Sequence, residues 1–396
     1  MAEGRGRERR KRAMTIRRWA AMVSGVVLSV IVAGGLVPAT LRAQSKPPAA
    51  APADTSASAA KYQAAMAEWK SRIVPAAKKE GEVIWYSCAQ ATEAEGTITA
   101  FNKAYPDIQV SQVLGPGYQM VEKISTEAAA GRVQADVYQC GGQSGRTIAW
   151  RGLGEEFIPP TALDPSVKWR WPVMNKETHL AGVFASVSGL NVNTKLVPPE
   201  KYPKSYWDLV RDPYWVDLIK RKRVAFTDPR IANIGVYHVY GLKEVNAKEY
   251  GEGFIREFAG LKPKLFGFNE SGEVARGELH AMLGGPWRVE YSLGTVPITK
   301  LCLEPGCVST QSPLFAVVKN APHPNAAKVF VDFVLSREYA EWRVQALGNT
   351  PARADVAPRP LDDPAKHKLQ YAGDDKAERQ ITEVLKWVIA SKLFDY

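Results

Sequence analysis

Glycines and polar residues collect at three places in the first third of the chain, each directly after a predicted strand. These places are Ser87-Cys88-Ala89, Gly115-Pro116-Gly117-Tyr118 and Cys140-Gly141-Gly142-Gln143. Backbone amides in a glycine turn that begins a helix can bind an anion, because the helix dipole is positive at that end. The side chains of Ser87, Tyr118 and Gln143 add polar groups. These turns indicate binding of an anion or a polar molecule, and an ordinary Gly-Pro-Gly turn is the alternative reading of Gly115 to Gly117.

Charged and aromatic candidates follow in the second half of the chain. Arg288 is a planar donor that can pair with a carboxylate or phosphate in two parallel hydrogen bonds, although a surface salt bridge with Glu290 would also explain it. Trp287 offers a flat apolar face to a ring, unless it lies in a core. Arg230 and Asp228 follow a predicted strand and could reach the same site, and Asp228 could instead cap the next helix.

The first three turns are brought together by an alternation of strands and helices between Gly81 and Cys140. Predicted strands are Val83–Ser87, Ile108–Val113 and Ala135–Gln139, because each is a short apolar run rich in β-branched or aromatic residues. Between them, Ile98, Phe101 and Tyr105 have helical spacing. Two consecutive βαβ units predict parallel strands with a ligand crevice at their carboxyl ends.

Four cysteines suggest two disulfides, for which three pairings exist. Cys302 and Cys307 flank Leu303-Glu304-Pro305-Gly306, a turn composition that lets a short loop close. Cys88 and Cys140 end the first and third strands, which are neighbours in the usual strand order and therefore close enough for a bridge. Two free thiols at the floor of the crevice are the alternative for Cys88 and Cys140. Spacing of the CxxC kind is missing, which argues against a metal site.

The amino terminus has the order of charges and apolar residues typical of an export signal. Residues 1–43 contain nine Lys or Arg and two Glu, with an uncharged stretch from Trp19 to Leu41. An uncleaved membrane anchor is the alternative. This segment accounts for +7 of the net charge of +11, so the remaining chain carries only +4. We therefore expect no nucleic-acid partner. Residues 44–60 are rich in Ala, Pro and Ser and predict a disordered spacer.

A second α/β unit follows the first. Predicted strands at Gly182–Ser188, Val224–Thr227, Leu265–Phe268 and His280–Leu283 alternate with helices, and Leu314–Val318 is a strand that returns towards the first lobe. Amphipathic helices are predicted at Ala326–Leu335, Glu338–Leu347 and Glu378–Ile389. The fold class is therefore α/β with two similar lobes. About 335 residues beyond the spacer also exceed a single typical core.

Sequence motifs of hydrolases and metalloenzymes are missing. The chain has no GxSxG and no HExxH, and its five histidines lie far apart in sequence. We therefore expect no catalytic residues, although an enzyme assembled from distant residues remains the rival class.

The residues also match a known family in order along the chain. The matching pieces include Gly81–Ser87, Ala100–Pro106, Asn193–Pro199, Pro203–Leu209, Ala275–Glu278 and Ala326–Ser336. In these segments the chain resembles periplasmic substrate-binding proteins of ABC importers with the type 2 fold. It is most similar to the branch that contains ferric-ion-binding proteins.

The resemblance implies two lobes joined by crossover strands, each lobe a mostly parallel sheet flanked by helices. Residues 61–190 and 294–345 would form the first lobe, and 191–293 and 346–396 the second. A small-molecule ligand would be held between the lobes and passed to an inner-membrane ABC permease. The protein would be a periplasmic monomer without a cofactor. On this basis the expected ligand-binding residues are Ser87, Cys88, Tyr118, Gln143, Arg230, Trp287 and Arg288.

One departure from the ferric branch bears on the ligand. In that branch two adjacent tyrosines in the second lobe bind iron, and the matching position here falls near Trp287-Arg288, where there is no tyrosine pair. Phenolate oxygens suit Fe(III), whereas an indole N–H and a guanidinium cannot bind a cation. Gly285-Pro286-Trp287 is instead similar to a segment of sugar-binding relatives. We therefore expect an anionic or strongly polar organic ligand and no bound metal. Fe(III) is the alternative ligand.

Overall fold

The computed structural model describes residues 55–175, 178–267, 272–285, 294–311, 313–360, 363–367, 369–371 and 375–396. Two predictions fall outside these ranges, namely the signal segment 1–43 and the pair Trp287-Arg288. The first described helix, α1, covers Thr55–Glu68. Six residues of the predicted 44–60 spacer are therefore helical. None of the described helices is long and apolar enough to cross a membrane.

The strands form three sheets, and their bounds are as follows: β1 Glu82–Ser87, β2 Gln109–Leu114, β3 Val137–Cys140, β4 Ala181–Gly182, β5 Phe184–Ser188, β6 Leu190–Asn193, β7 Val224–Thr227, β8 Lys264–Phe266, β9 Ala281–Leu283, β10 Ile298–Leu301, β11 Cys307–Gln311, β12 Leu314–Val317, β13 Thr350–Pro351 and β14 Leu369–Tyr371. The first sheet has the order β2-β1-β3-β12-β4, the second β10-β6-β9-β7-β8, and the third β13-β5-β11-β14.

The α-helices after α1 have the following bounds: α2 Val74–Glu80, α3 Ala91–Ala104, α4 Gly117–Ala129, α5 Gly142–Trp150, α6 Pro160–Leu163, α7 Tyr206–Arg211, α8 Pro213–Lys220, α9 Asn233–Tyr240, α10 Gly251–Gly260, α11 Gly272–Arg276, α12 Pro324–Phe333, α13 Arg337–Leu347 and α14 Asp375–Ser391. Short π-helical turns at Trp69–Ile73 and Gly241–Val245 continue α1 and α9.

Parallel pairing in the first two sheets follows the βαβ pattern of the sequence. β1 pairs in parallel with β2 and β3, and β7 pairs in parallel with β8 and β9. In each sheet two more strands extend this parallel part through antiparallel pairing, β12 and then β4 in the first sheet, and β6 and then β10 in the second. The carboxyl ends of the parallel strands therefore meet at one edge of each sheet, where the predicted turns begin.

The third sheet lies where the chain passes between the other two. The chain runs from β4 of the first sheet through β5 into β6 of the second, and it returns from β10 through β11 to β12. Gly189 separates β5 from β6, and a Cβ atom there would lie 2.4 Å from the Leu301 carbonyl oxygen and 2.7 Å from Cys307 Sγ. The two crossovers are therefore packed against each other, and only a glycine fits at this point.

Apolar faces fix the helices to the sheets. In α4 the side chains of Met120, Val121 and Ile124 are buried against the first sheet. The last helix, α14, buries Ile381 and Val384 in the core of the second sheet. Because α14 is anchored there, its amino-terminal turns are held at a fixed place beside α9.

Candidate functional site

The half of the candidate site on the first sheet lies at the ends of β1 and β3. A disulfide joins Cys88 to Cys140 with a Cα–Cα distance of 5.2 Å, and a second joins Cys302 to Cys307. Both predicted pairings are confirmed. The buried Ser87 hydroxyl donates to Gln139 Oε1 and accepts a hydrogen bond of 2.9 Å from the Ala89 amide. The disulfide and these bonds hold the loops after the two strands together.

Helices α4 and α5 begin beside this disulfide. The Tyr118 hydroxyl donates to Gln143 Oε1 at 2.6 Å, and Tyr118 is 47% exposed. Loss of water, and secondly the charge of Glu378, raise the pKa of the Tyr118 phenol, so the group stays a neutral donor. A Cβ atom at Gly117 would lie 2.6 Å from Cys140 Sγ, which explains the glycine at the start of α4. Tyr118 and Gln143, predicted from separate turns, are thus in contact.

The half of the site on the second sheet begins after β7. Arg230 binds both carboxylate oxygens of Asp228, with a closest distance of 2.7 Å, and also reaches Asp395 at 2.5 Å. The hydrogen bond that Arg230 donates to Asp228 is the main reason that the pKa of the Arg230 guanidinium is raised. Asp228 does not cap α9, whose N-cap residue is Ala232. The charge of Arg230 is therefore shared with two carboxylates.

The two halves meet where α5 and α9 begin, a place we call the helix-end junction and define by Gly142, Asn233 and Tyr237. Gly142 has φ +59°, and a Cβ atom there would lie 2.5 Å from the Tyr237 hydroxyl and 2.6 Å from Asn233 Nδ2. The N-cap residues are Gly141 and Ala232, and neither offers a side-chain oxygen to the first helix amides. The amino-terminal ends of two helices, one from each sheet, are therefore close together and lack side-chain caps.

A buried charged cluster lies next to the helix-end junction. Arg146 Nη1 lies 3.1 Å from Glu378 Oε1, and the Tyr237 hydroxyl donates to the same oxygen at 2.8 Å. Both charged side chains are about 1% exposed. Burial, with the nearby Glu378 charge second, raises the pKa of Tyr237 well above its ordinary value. Gln143 also donates to Thr382 of α14. The last helix therefore takes part in the site.

Buried polar groups form the back of the site at the crossover strands. Ser188 Oγ lies 3.1 Å from His238 Nε2, and removal from water lowers the pKa of His238 to about 3. The side chain of Asn191 is 2% exposed, and neither its amide oxygen nor its amide nitrogen has a hydrogen-bond partner among the residues that the structure describes. A Cβ atom at Gly285 would lie 3.2 Å from Asn191 Nδ2. A buried amide of this kind can be paired by water or by a ligand.

Sequence reasoning missed Tyr237, Glu378 and Asn191. Glu378 and Arg146 are separated by 232 residues, so no local pattern links them, and Asn191 resembles any polar residue of a strand. Trp287 and Arg288 lie outside the described residues, and their role stays a prediction. In the part of the chain that the structure describes, no group of three His, Cys, Asp or Glu residues could hold a metal ion.

Comparisons with known proteins agree with this architecture. Residues 96–370 match the family described as bacterial extracellular solute-binding protein. An uncharacterized protein of Haemophilus influenzae is 26% identical over 337 residues, which are 80% of this chain and 92% of that protein.

Two solved structures have a similar fold. Iron-bound HitA from Pseudomonas aeruginosa is 22% identical, with a TM-score of 0.60 over 78% of this chain and 99% of HitA. The periplasmic binding protein AfuA from Actinobacillus pleuropneumoniae, with fructose-6-phosphate bound, is also 22% identical, with a TM-score of 0.61 over 78% of this chain and 98% of AfuA. This likeness confirms the two-lobed α/β fold. The chain therefore belongs to the bacterial extracellular solute-binding protein family, the binding components of ABC importers.

Proposed function

We propose that this protein captures a small anionic or strongly polar organic solute between its two lobes and delivers it to an ABC permease. The family to which the chain belongs supports capture and delivery. The chemistry of the ligand is the part that we infer from the residues. The lobe boundaries given above, the cleavage of an export signal and a monomeric state belong to the same proposal.

The observation that carries this proposal is the helix-end junction. Gly142 begins α5 and Asn233 begins α9, and the two residues are within contact distance. Each helix end has amides directed outward and a partial positive charge, and anions are stabilised at such ends. Two ends from opposite lobes would add their fields at one point. An anion bound there would also favour the closed arrangement of the lobes.

Neutral polar groups around the junction would supply specificity. Tyr118 and Gln143 stand at its open side, since Tyr118 is nearly half exposed. Within the described residues, the amide donor and acceptor of the buried Asn191 have no partner. Such a set suits a ligand with hydroxyl or amide groups beside its charge, because each buried polar atom of the site then gains a partner. Trp287 and Arg288 remain candidates for further contacts.

The enzyme alternative can be examined at one pair of described residues that resembles a nucleophile and its base. Ser188 and His238 are within hydrogen-bond distance, as a nucleophile and its base would be. Both side chains are buried, with 4% and 0% exposure, and His238 is a weak base because its pKa is lowered to about 3. A general base needs a pKa near the working pH and access to substrate. This pair is better explained as part of the crossover core.

Fe(III) is the second candidate ligand, since Tyr237 and Glu378 place a phenol next to a carboxylate, both of which are hard donors. The guanidinium of Arg146 lies against the same carboxylate oxygen. A cation could use this carboxylate only by breaking a buried ion pair, which is costly. This pairing therefore disfavours Fe(III) as the ligand.

The experiment that tests this function identifies the ligand directly. Protein isolated without denaturation is extracted, the extract is analysed by mass spectrometry, and the released compound is titrated back by calorimetry. We expect a compound with a carboxylate or phosphate group that binds in a ratio of one per chain without being turned over. An uncharged ligand, chemical turnover, or tight Fe(III) binding with a tyrosinate charge-transfer band would contradict the proposal.

Two tyrosine variants then test the site. Tyr118→Phe removes one hydroxyl at the mouth of the junction, and it should weaken binding of the extracted compound by about fivefold, the effect of one hydrogen bond. Tyr214→Phe is the matched control, because Tyr214 lies in α8, outside the helix-end junction, and its ring contacts Trp215 edge to face. Equal affinities for the two variants would remove Tyr118 from the site.

A further inference from the structure

A cavity of about 580 Å³ lies where the second crossover leaves β10. It is lined by Lys204, Lys300, Glu304, Lys366 and His367, together with the loop between Cys302 and Gly306. None of the residues of the helix-end junction belongs to this lining. The volume falls within the range of pockets that hold small organic molecules, about 300 to 1,000 Å³. We call this space the basic cavity.

Most of the charged residues that line the basic cavity are cationic. Among the lining residues that the structure describes, three are lysines and one, Glu304, has a carboxylate. Lys300 is only 4% exposed, and its ammonium group lies 3.5 Å from the Val187 carbonyl oxygen. Lys204 and Lys366 are exposed at the rim. One cation at the base and two at the mouth would surround an occupant with positive charge from several directions.

We propose that the basic cavity is a second ligand site, which binds a small organic polyanion such as a di- or tricarboxylate. Lysine ammonium groups recognise carboxylates as point charges, and several of them around one space favour an anion with more than one negative group. Lys204, Lys300 and Lys366 could each bind one negative group of such an anion, whereas the Glu304 carboxylate opposes the binding of any anion.

The position of the basic cavity connects it to the crossover strands. Cys302 lines the cavity and is joined to Cys307, and Gly189 of the other crossover packs against Leu301 and Cys307. An occupant would therefore contact the segment that begins at Leu301, against which Gly189 of the other crossover packs. Binding there should restrain the crossover and change the affinity of the interlobe site for its own ligand, a coupling that must be reciprocal.

Citrate is a suitable probe, and its binding can be measured by calorimetry at low ionic strength. The double variant Lys204→Ala/Lys366→Ala removes two exposed charges from the rim and should leave the fold intact. The matched control Lys79→Ala/Lys319→Ala removes two exposed lysines elsewhere. We expect one citrate per chain, an affinity at least about tenfold weaker in the first variant, and a change below about twofold in the control. Equal weakening in both variants would show non-specific attraction and overturn the proposal.

A second comparison separates this site from the interlobe site. Tyr118→Phe alters the mouth of the helix-end junction and should leave the affinity for citrate unchanged. If Tyr118→Phe weakens citrate binding while Lys204→Ala/Lys366→Ala does not, citrate binds between the lobes and the basic cavity is not a site. Absence of measurable citrate binding to the wild-type protein would overturn the proposal as well.

Discussion

Removal of either charge from the Arg146–Glu378 pair should destabilise the protein strongly. Both side chains are about 1% exposed and their charged atoms are 3.1 Å apart. Breaking such a pair leaves the remaining charge buried without compensation, which costs about 3 to 5 kcal/mol. We expect losses of this size in the free energy of unfolding for Arg146→Met and for Glu378→Met. Tyr237 can still donate to Glu378 in Arg146→Met, so the stability loss of that variant should lie at the lower end of this range.

The double variant Arg146→Met/Glu378→Met provides the decisive comparison. Because no buried charge remains and two flexible apolar side chains fill the space, its stability should lie within about 2 kcal/mol of the wild type. The two single losses should therefore be far from additive. Urea unfolding at neutral pH measures each free energy, provided that fluorescence and circular dichroism give coincident transitions.

The ion pair Arg151–Glu122 provides the control, since Arg151 follows α5 directly and the pair is 41% and 61% exposed. Arg151→Met should change stability far less than Arg146→Met, because water screens an exposed pair. The reasoning would be refuted if Arg146→Met and Glu378→Met each lowered the free energy of unfolding by less than about 1 kcal/mol and the two effects added in the double variant. The charges would then be solvated, and the contact between α5 and α14 would be loose.

Three further predictions concern stability. Removal of the disulfide between Cys88 and Cys140, which are 52 residues apart, should cost about 4 kcal/mol in the chain-entropy model, measured by urea unfolding of the double Ala variant. His238 has a pKa of about 3 when folded against an ordinary 6.5, so acidification from about pH 6.5 to 4.5 should remove about 2 kcal/mol of stability, a slope that His238→Gln abolishes. Asp332 has the opposite pH dependence. Burial raises its pKa from 3.8 to about 6, so ionisation of Asp332 destabilises the fold as the pH rises between these two values. Asp332→Asn should therefore stabilise the protein at pH 7 by about 3 kcal/mol and have little effect below about pH 4, as thermal unfolding across pH would reveal.

Local patterns were sufficient for β1, β2, β3 and the two helices between them. β1 is a short, mostly apolar run, β2 mixes polar residues with valines, and each helix has an apolar face, so period and length identify the elements. The handedness of βαβ units then makes β1 and β3 neighbours and brings Cys88 to Cys140. The same reasoning placed Tyr118 and Gln143 at one edge, where they are in contact.

The edge strand of the first sheet, the third sheet and the helix boundaries escaped prediction for a physical reason. β4 in the first sheet and β13 in the third have two residues each, too few to show a period. The predicted strand over Gly182–Ser188 is in fact two strands that belong to different sheets, because the chain leaves the first sheet at Val183. Helix α9 begins at Asn233 rather than at the predicted Ile231, since the residues after Asp228 form a turn that binds Arg230.

The sequence by itself determined the α/β class, the order of the elements and the pairing of cysteines, because these follow from short-range periodicity and from the rules that connect parallel strands. Only the tertiary structure decided what faces the space between the lobes. Glu378 reaches Arg146 because the apolar face of α14 is anchored in the core of the second sheet, and Gly142 meets Asn233 because the crossovers set the distance between the sheets. Contacts of this kind join residues far apart in the chain, and side-chain packing alone selects them.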